Sequence, residues 1–301
     1  MKASNITIDN NLSFLFKSSP GFGKTLAAAS FAVEGPVYLA YWDKSKPVEL
    51  VTYFTEKRFG SLAKKILDNI EYDVYGSENA NAYLNKLIDF TSDCRYFAII
   101  NDSITFMTAG AVNWSMNFGK DHKLKKKIKD VLPDWDEYKV ETSIVSQCID
   151  ICKTLPCHNI WTAHPLASVS LSGSGSSMKV TRTNPIVSYG SKVASMVPGS
   201  FTEIYHFSQQ SDYLGGKSSK RYIVNTEAVG DEYAKSPLLG DYVKEFDITD
   251  KLFYHVWKEL IDKSRGIEKK DISTELPDEF EPDSTSRIAN LFDKQQGGWK
   301  V

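Results

Sequence analysis

Short apolar runs alternate with longer helical stretches along the first half of the chain. Five runs have the length and near-continuous hydrophobicity of buried strands, namely residues 12–17, 36–42, 70–75, 96–102 and 158–164. Between them, helical composition or periodicity marks residues 24–33, 47–68, 78–90 and 135–155. Apolar strands that alternate with helices are typical of a parallel sheet covered on both faces. The pattern therefore predicts an α/β fold with a mostly parallel sheet flanked by helices.

The second half of the chain predicts an extension of the same sheet. Residues 201–207 and 221–226 are further strand candidates, and residues 250–263 form a helix that closes the fold. We therefore expect one domain over residues 1–265. Residues 266–301 begin as an acidic, proline-containing linker and end in a short amphipathic helix with Ile288, Leu291 and Phe292 on one side. That helix either docks on a partner protein or packs back on its own domain.

Two segments interrupt the alternation of strands and helices. Residues 106–133 form a long insertion that contains the lysine-rich stretch KDHKLKKKIKD. Residues 166–185 are rich in serine and glycine, which predicts a flexible loop.

Composition places few limits on function. The chain has 301 residues, of which 42% are hydrophobic and 25% charged, and its formal net charge is -2. No apolar stretch approaches the roughly 20 residues needed to span a bilayer, and the first ten residues lack a signal-peptide core. We therefore expect a cytoplasmic protein, in its own cell or in a host cell, with no membrane partner.

The cysteines are weak candidates for a metal site. Cys148, Cys152, Cys157 and His158 are close in sequence, but the paired short spacings of a structural zinc site are absent. Cys148 and Cys152 recur with apolar residues at helical spacing, which favours burial in the core.

The stretch SSPGFGKT, residues 18–25, matches the end of a phosphate-binding loop between a strand and a helix. In such loops, backbone N–H groups surround the phosphates, a lysine adds positive charge and the next hydroxyl binds Mg²⁺. The pattern predicts that ATP is bound by Ser19, Pro20, Gly21, Phe22, Gly23, Lys24 and Thr25, and that Thr25 also binds Mg²⁺. Ser18 stands where the first loop glycine is usual, which carries a cost only if the turn needs a positive φ.

Three polar residues at strand ends complete the predicted site. Asp102 follows an apolar strand and is the candidate carboxylate for Mg²⁺, although it can also simply begin a turn. Asp43 either orients the attacking water or is an ordinary loop residue. His164 either senses the terminal phosphate or caps its strand. GTP is disfavoured, because the nearest match to a guanine motif, residues 85–89, has the wrong spacing.

Taken together, SSPGFGKT, IINDSIT, AKSPLLG and the segment LPDWDEYKVETSIVSQCIDICKTLPCHNIWTAHP resemble phage-encoded RecA-like ATPases. That group includes proteins described as single-strand annealing or recombination ATPases. The resemblance covers roughly residues 11–245. It implies a RecA-like core that binds ATP and Mg²⁺, in which Lys24 and Thr25 belong to the phosphate loop. It also implies a magnesium role for Asp102, a sensor role for His164 and a catalytic role for Asp43.

The chain departs from these relatives at Ser18, at Asp43 and in the run Lys235–Ser236–Pro237. Relatives carry a glutamate or an aspartate where Asp43 stands, and because Asp43 is shorter than glutamate, hydrolysis is expected to be slow. They also carry a lysine–acid–arginine run where this chain has Lys235–Ser236–Pro237. In a homo-oligomer, whether ring or filament, Lys235 is the candidate for a contact with a neighbouring subunit's nucleotide, and Arg221 is a weaker one.

The interrupting segments are candidates for contact with single-stranded DNA. In RecA-like proteins, loops after the magnesium strand and after the next strand line the nucleic-acid path. The predicted contacts are Lys123, Lys125, Lys126 and Lys127 in the first segment and Lys179 and Arg182 in the second. Trp114 and Phe118 are candidates for stacking on bases. Alternatively, the lysines form the solvated face of a helix whose apolar stripe packs on the core.

Three functions are compatible with these features. The first is an ATPase that acts on single-stranded DNA in phage recombination or replication. The second is an ATP-dependent loader or assembly switch whose tail binds a replication or recombination protein. The third, a small-molecule kinase, is disfavoured because no basic lid over the phosphates is evident.

Overall fold

The computed structural model describes a large part of the chain. The described residues are 11–43, 46–118, 133, 135–165, 168–172, 179–183, 191–214, 217–229 and 233–266. Some of these are described by their backbone alone, namely residues 118, 168–172, 179–183, 191–192, 212–214 and 217–218.

Ten strands lie within the described ranges. In chain order they are β1 (Ser13–Lys17), β2 (Val37–Tyr41), β3 (Ile70–Val74), β4 (Ala98–Asp102), β5 (His158–Ala163), β6 (Ser168–Ser172), β7 (Lys179–Thr183), β8 (Glu203–Leu214), β9 (Lys217–Asn225) and β10 (Glu245–Asp247).

Eight of these strands form the main sheet, in the order β10-β9-β8-β1-β5-β4-β2-β3. The six strands from β8 to β3 run parallel, while β9 and β10 are antiparallel additions at one edge. Strand β5 lies between β1 and β4, so two strands separate the phosphate loop from β2. The predicted extension of the sheet by two later strands is confirmed as the hairpin β8–β9.

Helices cover both faces of this sheet. In chain order they are α1 (Lys24–Ala29), α2 (Val48–Tyr53), α3 (Glu56–Phe59), α4 (Ser61–Asp68), α5 (Ala80–Ser92), α6 (Ile104–Phe118), α7 (Trp135–Thr154), α8 (Ser191–Met196) and α9 (Phe253–Ser264). A short 3₁₀ helix, Ser30–Val33, extends α1. The predicted helix over residues 47–68 is divided into α2, α3 and α4, and Gly60 joins the last two at a φ of 55°.

Side chains along the parallel strands alternate between two hydrophobic clusters. Phe14 and Phe16 of β1 point into the cluster formed with α1, α4 and α9, whereas Leu15 joins the cluster formed with α5, α6 and α7. Because both faces of β1, β2, β4 and β5 are buried, these strands are hydrophobic at nearly every position. The edge strand β3 differs, because residues 71–74 of it are exposed. The predicted fold class, an α/β fold with a mostly parallel sheet flanked by helices, is confirmed.

Two predicted interruptions contain regular structure. Residues 106–118 belong to α6, whose Met107 and Ala111 are buried in the second cluster, because this apolar stretch has enough hydrophobic surface to pack on the sheet. Residues 168–172 and 179–183, predicted as loop, pair as the antiparallel strands β6 and β7. The sequence SVSLS alternates between polar and apolar residues, and three of the five residues in KVTRT are β-branched, which suits paired strands.

The compact unit that contains this fold ends at Gly266. Residues 267–301, with the predicted linker and terminal helix, lie outside the described residues. In the part of the chain that is described, no helix combines the length and apolarity needed to cross a membrane.

Candidate nucleotide site

The predicted site residues meet at the carboxyl edge of the parallel sheet. The phosphate loop follows β1, Asp102 ends β4, His164 follows β5 and Asp43 lies two residues after β2. These ends border a cavity of about 470 Å³. Its walls include Pro20, Gly21, Gly23, Lys24, Thr25, Asp43, Glu49, Tyr53, Arg58, Asp102, Phe106, His164, Tyr222 and Lys251. Ligands of open α/β sheets bind at this edge, so the location fits a binding site.

The phosphate loop depends on two glycines for its conformation. Gly21 and Gly23 have φ angles of 83° and 86°, in the left-handed region that favours glycine. No atom lies within 4 Å of the position that a Cβ would take at either residue. The backbone angle, and not a lack of space, therefore accounts for these two glycines. Gly23 also accepts a 2.8 Å hydrogen bond from the N–H of Ala27 as α1 begins.

Ser18 is accommodated without backbone strain. Among the described non-glycine residues, only Asp250 has a positive φ, so the turn out of β1 makes no demand for glycine at position 18. The Ser18 side chain is buried, and the backbone N–H of Ser18 donates to the carbonyl oxygen of Ala163 at 3.3 Å. Serine at this position is thus compatible with the loop.

Lys24 is held inside the loop by oxygen atoms. Its Nζ donates to the carbonyl oxygens of Ser18 and Ser19 at 2.9 and 3.1 Å and to Oγ of Ser18 at 3.1 Å. The same atom lies 3.2 Å from Nδ1 of His164. Burial lowers the pKa of Lys24 to about 8, and the negative charge of Asp102 partly opposes this shift. The ammonium group is therefore buried among neutral oxygen atoms and an imidazole, with Asp102 as the negative charge that favours its protonated form.

His164 contacts this lysine through a neutral imidazole. Burial lowers its pKa, and the positive charge of Lys24 lowers it further. The backbone N–H of His164 donates to Oγ1 of Thr105 at 2.9 Å, and Phe106 meets the imidazole edge to face at 5.9 Å. With Nδ1 accepting from Lys24, the imidazole links the end of β5 to the phosphate loop.

Asp102 is the centre of a small polar network. Its Oδ2 accepts a 2.6 Å hydrogen bond from Oγ1 of Thr25, and its Oδ1 accepts from Oγ1 of Thr162. Thr162 is buried on β5, beside β4, and sequence reasoning missed it. These hydroxyl groups fix both carboxylate oxygens of Asp102 toward the phosphate loop.

Two further carboxylates lie across the cavity on the β2 side. Asp43 lines the cavity and is exposed to solvent. Glu49, in the first turn of α2, is half-buried, and its Oε1 accepts a 3.0 Å hydrogen bond from the Tyr41 hydroxyl. Sequence reasoning missed Glu49 because its helix gave no sign of which face meets the cavity.

The far end of the cavity is aromatic and partly apolar. The guanidinium carbon of Arg58 lies 4.1 Å from the ring centroid of Tyr53, and Arg58 Nη2 lies 2.6 Å from Oδ1 of Asp250. Tyr222 from β9 and Ile248 line the same region. None of these residues was predicted from the sequence.

The remaining predicted ATP-binding residues lie outside the cavity wall. Ser19 contributes its carbonyl oxygen to Lys24, and Phe22 packs on the first hydrophobic cluster. Lys235 pairs through its backbone with Ile204 of β8 and does not line the cavity. Arg221 forms an ion pair with Asp247. A contact from Lys235 to a neighbouring subunit's nucleotide remains a prediction.

The structure describes the predicted DNA-binding residues only in part. Lys123, Lys125, Lys126 and Lys127 lie outside the described residues. Lys179 and Arg182 belong to β7, which is described by its backbone. Trp114 is half-buried and packs against the second hydrophobic cluster, and Phe118 is described by its backbone alone, so a stacking role for these residues stays a prediction.

The predicted burial of Cys148 and Cys152 is confirmed, because both lie in the second hydrophobic cluster. Within the described ranges, no three or more histidine, cysteine, aspartate or glutamate side chains gather as a metal site. A magnesium site built from Thr25 and Asp102 would not form such a group, because the phosphates and water supply its other ligands.

Comparisons with known proteins add little to this geometry. No protein-family model and no curated protein matches the chain. Among solved structures, the chain is similar to the flagellar accessory protein FlaH from Methanocaldococcus jannaschii. The identity is 13% and the TM-score 0.41, over 79% of this chain and 84% of that chain. A similarity of this size carries no functional argument, so the interpretation of the site depends on its own residues.

Proposed function

We propose that the protein binds ATP together with Mg²⁺ in this cavity and hydrolyses the ATP. The observation that carries the proposal is the hydrogen bond between Thr25 and Asp102 beside the buried Lys24. A lysine and a hydroxyl at the end of a glycine-dependent loop, together with a carboxylate at the end of β4, match the chemistry of a magnesium-nucleotide site.

The phosphates would lie over the phosphate loop. Gly21 and Gly23 give the loop its shape, and Lys24 supplies a positive charge whose present partners are neutral oxygens and an imidazole. A phosphate would offer this ammonium a charged acceptor, which makes a stronger hydrogen bond than a neutral one. His164 contacts Lys24 and, in this proposal, would respond to the occupant of the loop.

Thr25 and Asp102 would hold Mg²⁺. Oxygen donors are the ligands that Mg²⁺ prefers, and these two side chains are already 2.6 Å apart. Thr162 keeps the carboxylate oriented. When bound, the ion neutralises charge on the phosphates. The residues present therefore fit the ion that the site requires.

The nucleobase would occupy the far end of the cavity. Tyr53 and Tyr222 offer aromatic surface there, and Arg58 adds a planar cation. The absence of a guanine-recognition motif in the sequence favours adenine over guanine.

Asp43 is the proposed group for orienting or deprotonating the attacking water. It lies on the same cavity as Lys24 and His164, and its exposure leaves its carboxylate free to contact a water molecule. Its side chain is shorter than glutamate, which fits slow hydrolysis. Glu49 is already engaged by the Tyr41 hydroxyl and is the weaker candidate.

The natural setting of this activity, as we propose it, is single-stranded DNA in phage recombination or replication. The support is the lysine content of residues 120–129 and the position of the β6–β7 hairpin shortly after His164. A hairpin that follows the proposed nucleotide sensor so soon in the sequence would couple DNA contact to the state of the cavity.

Equilibrium binding of ATP tests the proposal. Lys24→Ala should abolish binding while the folded structure survives, because the lysine contacts the loop and not the hydrophobic core. Lys258→Ala, which removes an exposed lysine paired with Glu34, is the control and should bind ATP like the parent. Equal affinity in the parent and Lys24→Ala would refute the assignment of the site.

A further inference from the structure

Two cysteines that are distant in sequence meet at the opposite edge of the sheet from the cavity. Cys94 lies in the connection from α5 to β4, and Cys157 directly precedes β5. Their Sγ atoms are 3.8 Å apart, although 63 positions separate the residues. The N–H of His158 donates to the carbonyl of Phe97 at 3.0 Å and holds the two segments together. The thiols are therefore in contact because of the main-chain pairing around them.

The two thiols differ in exposure and in acidity. Cys94 is half-buried, whereas Cys157 is 2% exposed. A hydrogen bond from the Cys157 thiol lowers the pKa of Cys94 to about 6, helped by the backbone N–H of Tyr96 and opposed by burial and by Asp93. The same contact raises the pKa of Cys157, and burial raises it further. Thiolate character and access to solvent therefore favour Cys94 as the reactive member.

We propose that Cys94 and Cys157 form a thiol–disulfide exchange site that reacts with low-molecular-weight disulfides. The contact between the sulfurs of a half-buried and a buried cysteine carries this inference, because Cys94 can attack an external disulfide and Cys157 can resolve the product. Cys148 and Cys152 are buried in the hydrophobic cluster, and burial raises the pKa of each. They are therefore unsuited to this chemistry.

Glutathione disulfide illustrates the two steps. The Cys94 thiolate attacks one sulfur, the S–S bond breaks, one glutathione leaves as its thiolate and Cys94 carries a mixed disulfide. Cys157 then gives its proton to solvent and attacks the Cys94 sulfur, so that the second glutathione leaves. The two protein thiols lose two electrons and two protons in total, and glutathione disulfide is reduced to two thiols.

Mass spectrometry after incubation with glutathione disulfide tests this inference independently of the nucleotide site. The full-length chain is quenched, alkylated, weighed intact and mapped by peptides. We expect two fewer alkyl groups than in the alkylated reduced protein, an internal Cys94–Cys157 link and no lasting glutathione adduct. Cys148→Ser should behave like the parent, because Cys148 is not part of the pair.

Two variants separate the steps. Cys157→Ser should accumulate a single glutathione adduct on Cys94, because the resolving thiol is absent, and Cys157→Ala provides the same test if the serine variant does not fold. Cys94→Ser should form neither the adduct nor the link. The inference is overturned if the parent keeps both thiols alkylatable, retains a stable glutathione adduct at Cys94, or links two chains instead.

Discussion

The hydroxyl of Thr25 donates a 2.6 Å hydrogen bond to the carboxylate of Asp102, although 77 positions separate the two residues in the chain. Thr25 lies in the first turn of α1 and Asp102 is the last residue of β4. The bond forms across β5, which lies between β1 and β4 and contributes Thr162 to the same carboxylate. Three elements of the core thus converge on one negatively charged group, and the proposed magnesium-nucleotide site depends on this convergence.

The affinity for ATP should depend on pH through Lys24. Its pKa of about 8 means that the free protein carries a neutral lysine above this pH, so that binding must then take up a proton. We expect the association constant to fall toward tenfold per pH unit as the pH rises above 8. A phosphate group has its second pKa at about 6, so titration of the phosphate does not account for a decrease above pH 8. Calorimetry in two buffers of different ionisation enthalpy measures the proton uptake.

Lys24→Arg is the matched control for this pH dependence. Arginine stays protonated throughout the accessible range, so an arginine variant that binds ATP should lose the decrease above pH 8. An association constant for the parent that stays level between pH 7 and pH 9 would contradict the role assigned to the lysine.

Asp43 and Glu49 should differ in their contribution to hydrolysis. Asp43→Asn removes the proposed base, and we expect ATP binding to persist while the turnover rate falls about 10²-fold or more. Glu49→Gln keeps an oxygen that can accept from Tyr41, so its effect should be much smaller. Steady-state turnover and equilibrium binding, measured on both variants, separate the two roles. Slow turnover in Glu49→Gln with normal turnover in Asp43→Asn would show that Glu49, and not Asp43, acts on the attacking water.

Part of the site could be predicted from the sequence because its residues follow apolar strands. Asp102 and His164 stand at strand ends, and parallel strands bring their carboxyl ends to one edge. Thr162, Glu49 and Tyr222 could not be found in this way. Thr162 lies within a strand, and its contact with Asp102 depends on the strand order, which local periodicity does not reveal.

The limits of the fold prediction have similar physical causes. The lysine-rich segment obscured α6, because a charged run next to an apolar helix resembles a single insertion. The break near Gly60 requires a backbone angle that a helical pattern does not show. The contact between Cys94 and Cys157 requires the register of β4 against β5, in which Ala98 pairs with His158.

His158 should make the stability of the fold dependent on pH. Burial lowers its pKa from 6.5 to about 4, and its Nδ1 accepts a 3.1 Å hydrogen bond from the N–H of Leu12. Between pH 6.5 and pH 4 the unfolded chain therefore binds a proton that the folded chain does not, so stability decreases as the pH falls. The contribution lost across this window is about 3 kcal/mol.

Denaturant unfolding of the parent and of His158→Gln measures this contribution. Glutamine offers an oxygen to Leu12 but does not titrate, so the difference in unfolding free energy between the two proteins should change by that amount between pH 7 and pH 4. A difference that is the same at both pH values would show that His158 does not titrate on unfolding.

Single-stranded DNA should bind through the lysine-rich segment. Replacing Lys125, Lys126 and Lys127 with alanine should weaken binding. It should also make the slope of log K against log salt concentration shallower by about 0.7 per lost phosphate contact. Fluorescence anisotropy with a labelled oligonucleotide at several salt concentrations measures both quantities. Replacing Lys57, Lys64 and Lys65, which are exposed on α3 and α4, removes the same charge and should leave the slope unchanged. Equal slopes in the parent and the first variant would exclude this segment from the DNA path.

The magnesium dependence of ATP binding tests the central claim most directly. The parent should bind ATP more tightly with Mg²⁺ than with a chelator present. Asp102→Asn keeps the size of the side chain but removes its charge. In this variant the increase in ATP affinity that Mg²⁺ produces should be about 10- to 100-fold smaller than in the parent. When a chelator removes Mg²⁺, the variant and the parent should bind ATP with the same affinity. If Asp102→Asn and the parent gain the same affinity from Mg²⁺, Asp102 is not the magnesium carboxylate and the account of the site is wrong.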